Sequence, residues 1–343
     1  MHEALFWKKE GKAVKCELCP FGCIIPEGKI GNCGVRKNRG GKLYSLVYGK
    51  VAAYHVDPIE KKPLYHFAPA TQTFSIATVG CNFHCLHCQN WELSQSRRIM
   101  GIEMSPEEVV ERCKSVGAQG ISYTYTEPTV FFEFALDTMK IARMEGLYNV
   151  FVTNGFINEA PLKLAAKYLD AANVDVKAFR DEFYREICKA PTFEPVKRTV
   201  ELLNRLGVHV EVTYLIIPNR NDNMDEISEM CEWLVSVDDD IPLHFSRYHP
   251  DYMLDEPPTP LETLLRAREI AMEKGVKYVY LGNVMVREAL NTYCPNCHHL
   301  LIERDYMQTL RLDLSGDTDK PTCPNCGSEV RVHGLKYTRA VMG

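Results

Sequence analysis

No apolar run in this 343-residue chain is long enough to cross a bilayer. Its opening residues, Met1 to Lys9, hold no signal-peptide core. An excess of one charge is missing too: 40 basic and 45 acidic side chains leave a net charge of −5, which gives no general affinity for a polyanion. Membrane and secreted classes are set aside on these grounds, and the expected location is cytoplasmic. The hydrophobic content of 45% and charged content of 25% are ordinary for a globular protein. The length allows one large core with small appendages.

Cysteine is what the chain has in quantity. Fourteen are many for a reducing compartment, where such numbers favour metal ligation over disulfides. Eleven fall into three groups, and Cys113, Cys188 and Cys231 are left over as expected buried small hydrophobes. The first group, Cys16, Cys19, Cys23 and Cys33, offers four thiolates, which suit either zinc or an auxiliary [4Fe–4S] cluster. The last group is two matching Cys-x2-Cys knuckles, Cys294/Cys297 and Cys323/Cys326, the pattern of a zinc ribbon, with a rubredoxin-like iron as the alternative. The middle group, Cys81, Cys85 and Cys88, is spaced Cys-x3-Cys-x2-Cys in a loop led by Gly80, directly after a strand-like run. Three thiolates hold three irons of a cubane cluster and leave the fourth open to a small molecule. A structural zinc ion would need His84 or His87 as its fourth ligand, inside a strained loop.

Between residues 71 and 290 apolar runs alternate with helical patterns. Strands are expected at 73–79, 120–125, 149–153, 173–177, 208–215, 242–245 and 277–281. Helices are expected from a capping box at Ser105–Glu108, from Thr129 to about Met144, and from Glu194 to a stop at Gly207. Such alternation implies parallel βαβ units in an open or partial barrel, whose chemistry collects at the C-terminal strand ends. The polar residues do fall there: the cysteine loop, Tyr125-Thr126-Glu127, Thr153-Asn154-Gly155, Asp175 with Lys177, His244 to His249, and Asn283. Asp175 and Lys177 flank Val176 and so share one face, either as a functional pair or as a buried ion pair. Tyr123 and Tyr125 likewise share a face, expected to be core. His244, Arg247, Tyr248 and His249 are weighed as substrate contacts against packed residues. Glu60-Lys61-Lys62-Pro63 is weighed as a clamp against a solvated turn.

In this order the motifs resemble the radical SAM enzymes related to pyruvate formate-lyase activating enzyme. More closely, the chain resembles the radical SAM component of the AmmeMemoRadiSam system. The resemblance rests on Cys16-Glu17-Leu18-Cys19-Pro20, the segment Asp57 to Phe67, the cysteine loop with Gln89-Asn90, Tyr123 to Thr129, Thr153-Asn154-Gly155, Asp175-Val176-Lys177 and Gly282-Asn283. It implies an α/β fold, a partial (β/α)6-type radical SAM barrel with small N-terminal and C-terminal metal-binding cysteine modules. The expected division is an N-terminal four-cysteine module over 1–70, the core barrel over 71–290 and the zinc-ribbon-like module over 291–343. The implied cofactors are a [4Fe–4S] cluster on Cys81, Cys85 and Cys88, S-adenosylmethionine (SAM), and zinc. Glu127 would hold the SAM ammonium; Thr153, Asn154, Asp175 and Lys177 would face its carboxylate and ribose; Asn283 would lie near the nucleoside.

The implied activity is that of an anaerobic oxidoreductase, which cleaves SAM reductively to a 5′-deoxyadenosyl radical that takes hydrogen from a small-molecule or protein substrate. Besides SAM, the implied partners are an external electron donor and Memo-like and AMMECR-like proteins. Two departures stand out. Tyr125-Thr126 precede Glu127 where relatives often carry Gly-Gly, and Val152 stands where activating enzymes of the pyruvate formate-lyase type carry an aspartate. The alternatives are a glycyl-radical enzyme activase and a metal-ribbon nucleic-acid-binding protein. The interspersed acids Glu303, Asp305 and Asp313 favour a solvated surface over a nucleic-acid contact.

Overall fold

A computed structural model describes residues 1–342, with side chains through Thr338. At its centre is an eight-stranded sheet. We number its strands β1 (Ala53–Pro58), β2 (Gln72–Ala77), β3 (Gly120–Tyr123), β4 (Tyr148–Thr153), β5 (Ala171–Asp175), β6 (His209–Ile216), β7 (Leu243–Arg247) and β8 (Val279–Gly282). From β2 to β8 they pair in sequence order, all parallel, and β1 joins β2 antiparallel at the edge. All seven expected parallel strands are present. The edge strand β1, inside the stretch read as N-terminal module, is an addition. Its exposed Tyr54, His55 and Val56 lack the continuous apolar run of its neighbours, as suits an edge with one paired side. No hydrogen bonds join β8 back to β1, so the barrel is open.

Helices α1 (Pro106–Ser115), α2 (Phe132–Met144), α3 (Glu159–Ala166), α4 (Glu194–Arg205), α5 (Met224–Val237) and α6 (Leu261–Glu273) connect the parallel strands. The capping box of α1 is fully formed: Glu108 N donates to Ser105 Oγ at 3.2 Å, and Ser105 N to Glu108 Oε2 at 2.6 Å. Helix α4 ends before Gly207, whose φ of +76° supplies the left-handed turn. The helices bury their apolar stripes on the outer face of the sheet, Val109 and Val110 of α1 and Phe134, Ala135 and Met139 of α2 among them. Strands covered on both faces account for the apolar runs in the sequence.

Two devices complete the barrel. At the N-terminal strand ends, Glu211 of β6 is fully buried and gathers four donors. They are Tyr65 N (3.0 Å), His66 N (2.7 Å), His209 Nε2 (3.0 Å) and His244 Nε2 (2.7 Å). These bonds hold the Glu211 carboxyl far below its usual range although burial opposes it. The open seam is closed from the other end of the chain. Arg304, 1% exposed, donates to Tyr65 O (2.7 Å), Leu290 O (3.0 Å) and Thr292 Oγ1 (2.8 Å). Thr309 Oγ1 donates to Glu60 Oε1 at 2.6 Å. The segment 291–342 is thus built into the barrel as well as carrying the ribbon. In the turn at 60–63, Glu60 and Lys62 are buried while Lys61 is exposed, so the turn is only partly solvated.

Candidate functional site

The cysteine loop leaves β2 at its C-terminal end and is pinned by four hydrogen bonds to three segments. His84 N and Leu86 N donate to Cys188 O and Ile187 O, each at 3.0 Å. Asn82 Nδ2 donates to Phe156 O (2.9 Å), and Met253 N to Leu86 O (2.9 Å). Both ring nitrogens of His84 are engaged, by Gln95 and by Asn32. His87 is buried against Phe183, where burial pulls its pKa down to about 3 and its Nδ1 has no partner. Among the described residues neither histidine gathers with two of the loop's sulfurs within 4.8 Å, as ligands of one ion would. Among the described residues, Cys81, Cys85 and Cys88 do not gather within 4.8 Å of one another, as ligands of a single ion would. Thiolates on separate irons of one cubane stand farther apart than thiolates on one ion, so the spacing speaks against a single ion on these three sulfurs.

Cys188, expected to be only a small hydrophobe, is a neighbour of this set. Its thiol bonds to Cys85 and is the largest cause of the lowered Cys85 pKa. Lys177 stands beside both. Burial works against its charge, but Asp175, Cys85 and Cys188 outweigh it and keep the ammonium firmly protonated. A cation here offsets the negative charge of a thiolate-held cluster. The Asp175–Lys177 ion pair forms at 3.2 Å and is partly open to solvent.

Glu127 is 3% exposed and works as a strut. Its Oε1 accepts from Thr129 N (3.0 Å), Thr129 Oγ1 (2.6 Å) and Thr153 Oγ1 (2.7 Å), and its Oε2 from Asn154 N (2.8 Å). Burial nevertheless leaves its pKa raised. Oε2 keeps room for a further donor. Asn154 carries the link onward, with Nδ2 at 2.8 Å from Asn82 Oδ1 and 3.8 Å from Cys81 Sγ. Glu127, Thr153, Asn154 and the cysteine loop therefore form one connected network, which spacing along the chain could not reveal.

The two tyrosines do not share a face. Tyr123 is core, packed on Phe151. Tyr125, past the end of β3, has φ +60°, so the alternation breaks there. This is the slot where the resemblance expects glycine, and a left-handed tyrosine there is strained. Its ring is anchored by Lys62 Nζ, 4.5 Å from the centroid, and by Asp57, to which its hydroxyl donates. Asp57 in turn holds Lys62 at 2.7 Å and Lys61 at 2.8 Å.

His244, the second residue of β7, lies toward the N-terminal strand ends, where it bonds Glu211 and stacks on Tyr280 (5.2 Å); Tyr248, just past β7, is buried with its hydroxyl on Leu254 O. Both are packing residues. Arg247 and Asn283 remain at the rim: Asn283 Nδ2 donates to Arg247 O at 3.0 Å, and both line an open hollow with Met285 and Tyr306. Asn283 is not joined by hydrogen bonds to the Glu127 network among the described residues. The exposed His249 lies 3.5 Å from Gln89 of the cysteine loop. At the ribbon, the four sulfurs of Cys294, Cys297, Cys323 and Cys326 do gather within 4.8 Å, with Cys294–Cys326 and Cys297–Cys323 each at 3.6 Å. Four thiolates about 2.3 Å from one tetrahedral ion stand about 3.8 Å apart, so this set fits a single metal ion.

Three cysteines at the mouth of an open parallel barrel are thus linked by hydrogen bonds to a buried carboxylate on the next strand end. Residues 75–234 match the Radical SAM superfamily, and the chain belongs to that superfamily. It is 50% identical over 337 residues to "Uncharacterized protein MJ0808" of Methanocaldococcus jannaschii, covering 97% of this chain and 99% of that one. It is 22% identical over 220 residues to "Pyruvate formate-lyase 1-activating enzyme" of Escherichia coli K12, covering 59% of this chain and 89% of that enzyme. The solved structure of Streptococcus suis SuiB bound to S-adenosylmethionine overlays 69% of this chain and 56% of that one, with a TM-score of 0.50 at 14% identity, a likeness of fold alone. No helix among the described residues is long and apolar enough to cross a membrane.

Proposed function

We propose that this chain reductively cleaves SAM at a [4Fe–4S] cluster held by Cys81, Cys85 and Cys88, and that the resulting radical takes hydrogen from a substrate seated over the barrel mouth. The observation that carries this reading is the hydrogen-bonded chain from Glu127 through Asn154 to Asn82 and Cys81. It ties a three-cysteine donor set to a carboxylate that has an acceptor position left. When bound, the cluster supplies one electron to SAM, whose sulfonium parts into methionine and a 5′-deoxyadenosyl radical. The protein's own share is to hold and to exclude. Glu127 Oε2 accepts the SAM ammonium in a charge-assisted bond. Thr153 and Asn154 fix that carboxylate, while Asp175 and Lys177 offer opposite charges to the ribose and carboxylate ends. Asn283 closes the far rim. Trp91, bonded to the loop through its backbone N, and Tyr252, next in sequence to the loop-bonded Met253, stack at 5.1 Å.

Zinc on Cys294, Cys297, Cys323 and Cys326 is proposed as structural, on the strength of the 3.6 Å sulfur spacings. The resemblance to the AmmeMemoRadiSam component makes Memo-like and AMMECR-like proteins the partners to test, with an external one-electron donor. The test is anaerobic reconstitution with iron and sulfide, addition of SAM and dithionite, and quantification of 5′-deoxyadenosine beside a Cys85→Ala variant. Product from the wild type alone supports the reading. No product despite an assembled cluster and bound SAM, with the candidate partners present, overturns it.

A further inference from the structure

The N-terminal cysteines have a geometry unlike that of the ribbon. Cys16 ends the strand Ala13–Cys16, Cys19 and Cys23 lie in the turn after it, and Cys33 lies in the loop before Arg36. All four line one cavity of about 20 Å³, together with Leu18, Phe21 and Ile25. No three of these sulfurs lie within 4.8 Å of one another, whereas all four ribbon sulfurs do. One ion with bonds of about 2.3 Å would draw its thiolates to about 3.8 Å apart. A cubane binds each thiolate at a separate corner and so needs sulfurs farther apart than one ion does. Cys81, Cys85 and Cys88 likewise do not gather within 4.8 Å of one another.

A second observation concerns a buried donor. Arg36, 2% exposed, lines the same cavity, pairs through Nη2 with the buried Glu133 and directs Nη1 to Cys16 Sγ at 3.8 Å, while its Nε has no partner. Glu133 matches its charge, so what Arg36 offers a bound cluster is an N–H donor to a thiolate, which tunes the cluster's potential.

The cavity also shares a wall with the radical site. Asn82 of the cysteine loop lines it. Asn32 Nδ2 donates to Asn82 O at 2.9 Å, and Asn32 Oδ1 pairs with His84 Nε2 at 3.3 Å. Gly80, next to Cys81, lies so close to Cys33 that a Cβ on it would stand 2.8 Å from Cys33 O. From this spacing and shared wall we infer that Cys16, Cys19, Cys23 and Cys33 hold a second [4Fe–4S] cluster, ligated at all four irons, that relays electrons to the site at Cys81, Cys85 and Cys88. One electron arrives from an external low-potential one-electron donor, and the same electron leaves across the shared wall; no bond breaks and no proton moves. The ligand assignment stands by itself, and only the relay rests on the proposed SAM chemistry.

The test is metal analysis and electron paramagnetic resonance on the full chain after anaerobic reconstitution with iron, sulfide and zinc. The wild type is expected to hold about eight irons, about eight sulfides and about one zinc. A variant combining Cys81→Ala, Cys85→Ala and Cys88→Ala is expected to keep about four irons and four sulfides, with a dithionite-reduced cluster signal. Reduced wild type is expected to show the broadening of two interacting spins, absent from that variant. About two zincs and no iron in the triple variant, or about four irons and two zincs in the wild type, overturns the ligand assignment, and the wild-type count decides even where the variant fails to fold. Two non-interacting signals overturn the relay. Equal iron in wild type and variant, about four each, would instead fail the three-cysteine reading and leave the second cluster standing.

Discussion

Replacing Glu127 by Gln separates the two duties assigned to that carboxylate. In the protein without SAM it already accepts from four donors, three on Oε1 and one on Oε2. A carboxamide keeps one oxygen and turns an NH2 toward one side. If that side faces Asn154 N, a donor meets a donor and Asn154 N is orphaned in a buried place. The opposite flip orphans Thr129 N instead. A hydrogen bond to a charged group is worth about 1.5–3 kcal/mol, and leaving a buried partner unpaired costs about 1–3 kcal/mol. Glu127→Gln is therefore expected to destabilise the protein by about 3 kcal/mol before any ligand enters. With an unfolding entropy of about 2.1 cal/mol/K per residue over 343 residues, the melting temperature falls by about 4 °C. The assay is anaerobic thermal unfolding without SAM, followed by SAM titration. An unchanged melting temperature with SAM binding lost would refute the strut and leave Glu127 a ligand contact alone.

Other expectations follow from the same network and from the barrel's closures. Gly80→Ala sets a Cβ 2.8 Å from Cys33 O at φ +95°; it should cost about 2–3 kcal/mol and lower bound iron, and full iron at wild-type stability would contradict the shared wall. Arg304→Met strips three buried carbonyl and hydroxyl partners and should cost about 3 kcal/mol, read as a lower urea midpoint; no shift would mean the seam is closed by other contacts. His66 is buried with its Nδ1 on Arg331 O and its Nε2 on Tyr280 Oη, and burial pulls its pKa down to about 3. Between about pH 6.5 and 3 the unfolded chain holds a proton that the fold refuses, so stability is full above 6.5 and falls as pH drops toward 3. The buried Glu211, held low, adds in the same direction at the acid end, and a flat stability profile from pH 7 to 4 would contradict both.

The strands were legible because burial on two faces forces continuous apolar runs, and the cysteine loop because its spacing needs no partner to be recognised. The capping box at Ser105 and the stop at Gly207 were legible for the same local reason. Glu211 was not: a glutamate within His209–Ile216 gives no sign that Tyr65 and His66 will arrive beneath it. Cys188 resembled any buried thiol, since its neighbour Cys85 is distant in sequence. Tyr125 was misplaced because one left-handed residue ends the alternation on which face assignments depend. His244 was balanced between two readings, and its bond to Glu211 decides for packing.

The barrel's seam has a further consequence for how the chain is made. Tyr65 O waits for Arg304, 239 residues later, Glu60 for Thr309, 249 later, and Pro69 for Thr338, 269 later. A ribosome at about 5–20 residues per second needs roughly 12 to 50 seconds to cover that stretch. Throughout it the first strands have no finished floor or wall. Contacts so remote in sequence make folding slow, and the nascent sheet must be kept from pairing with other chains in the meantime. Shortening the protein after the last parallel strand would take Arg304, Thr309 and Thr338 from the seam for good and leave Tyr65 O, Glu60 and Pro69 O without those partners.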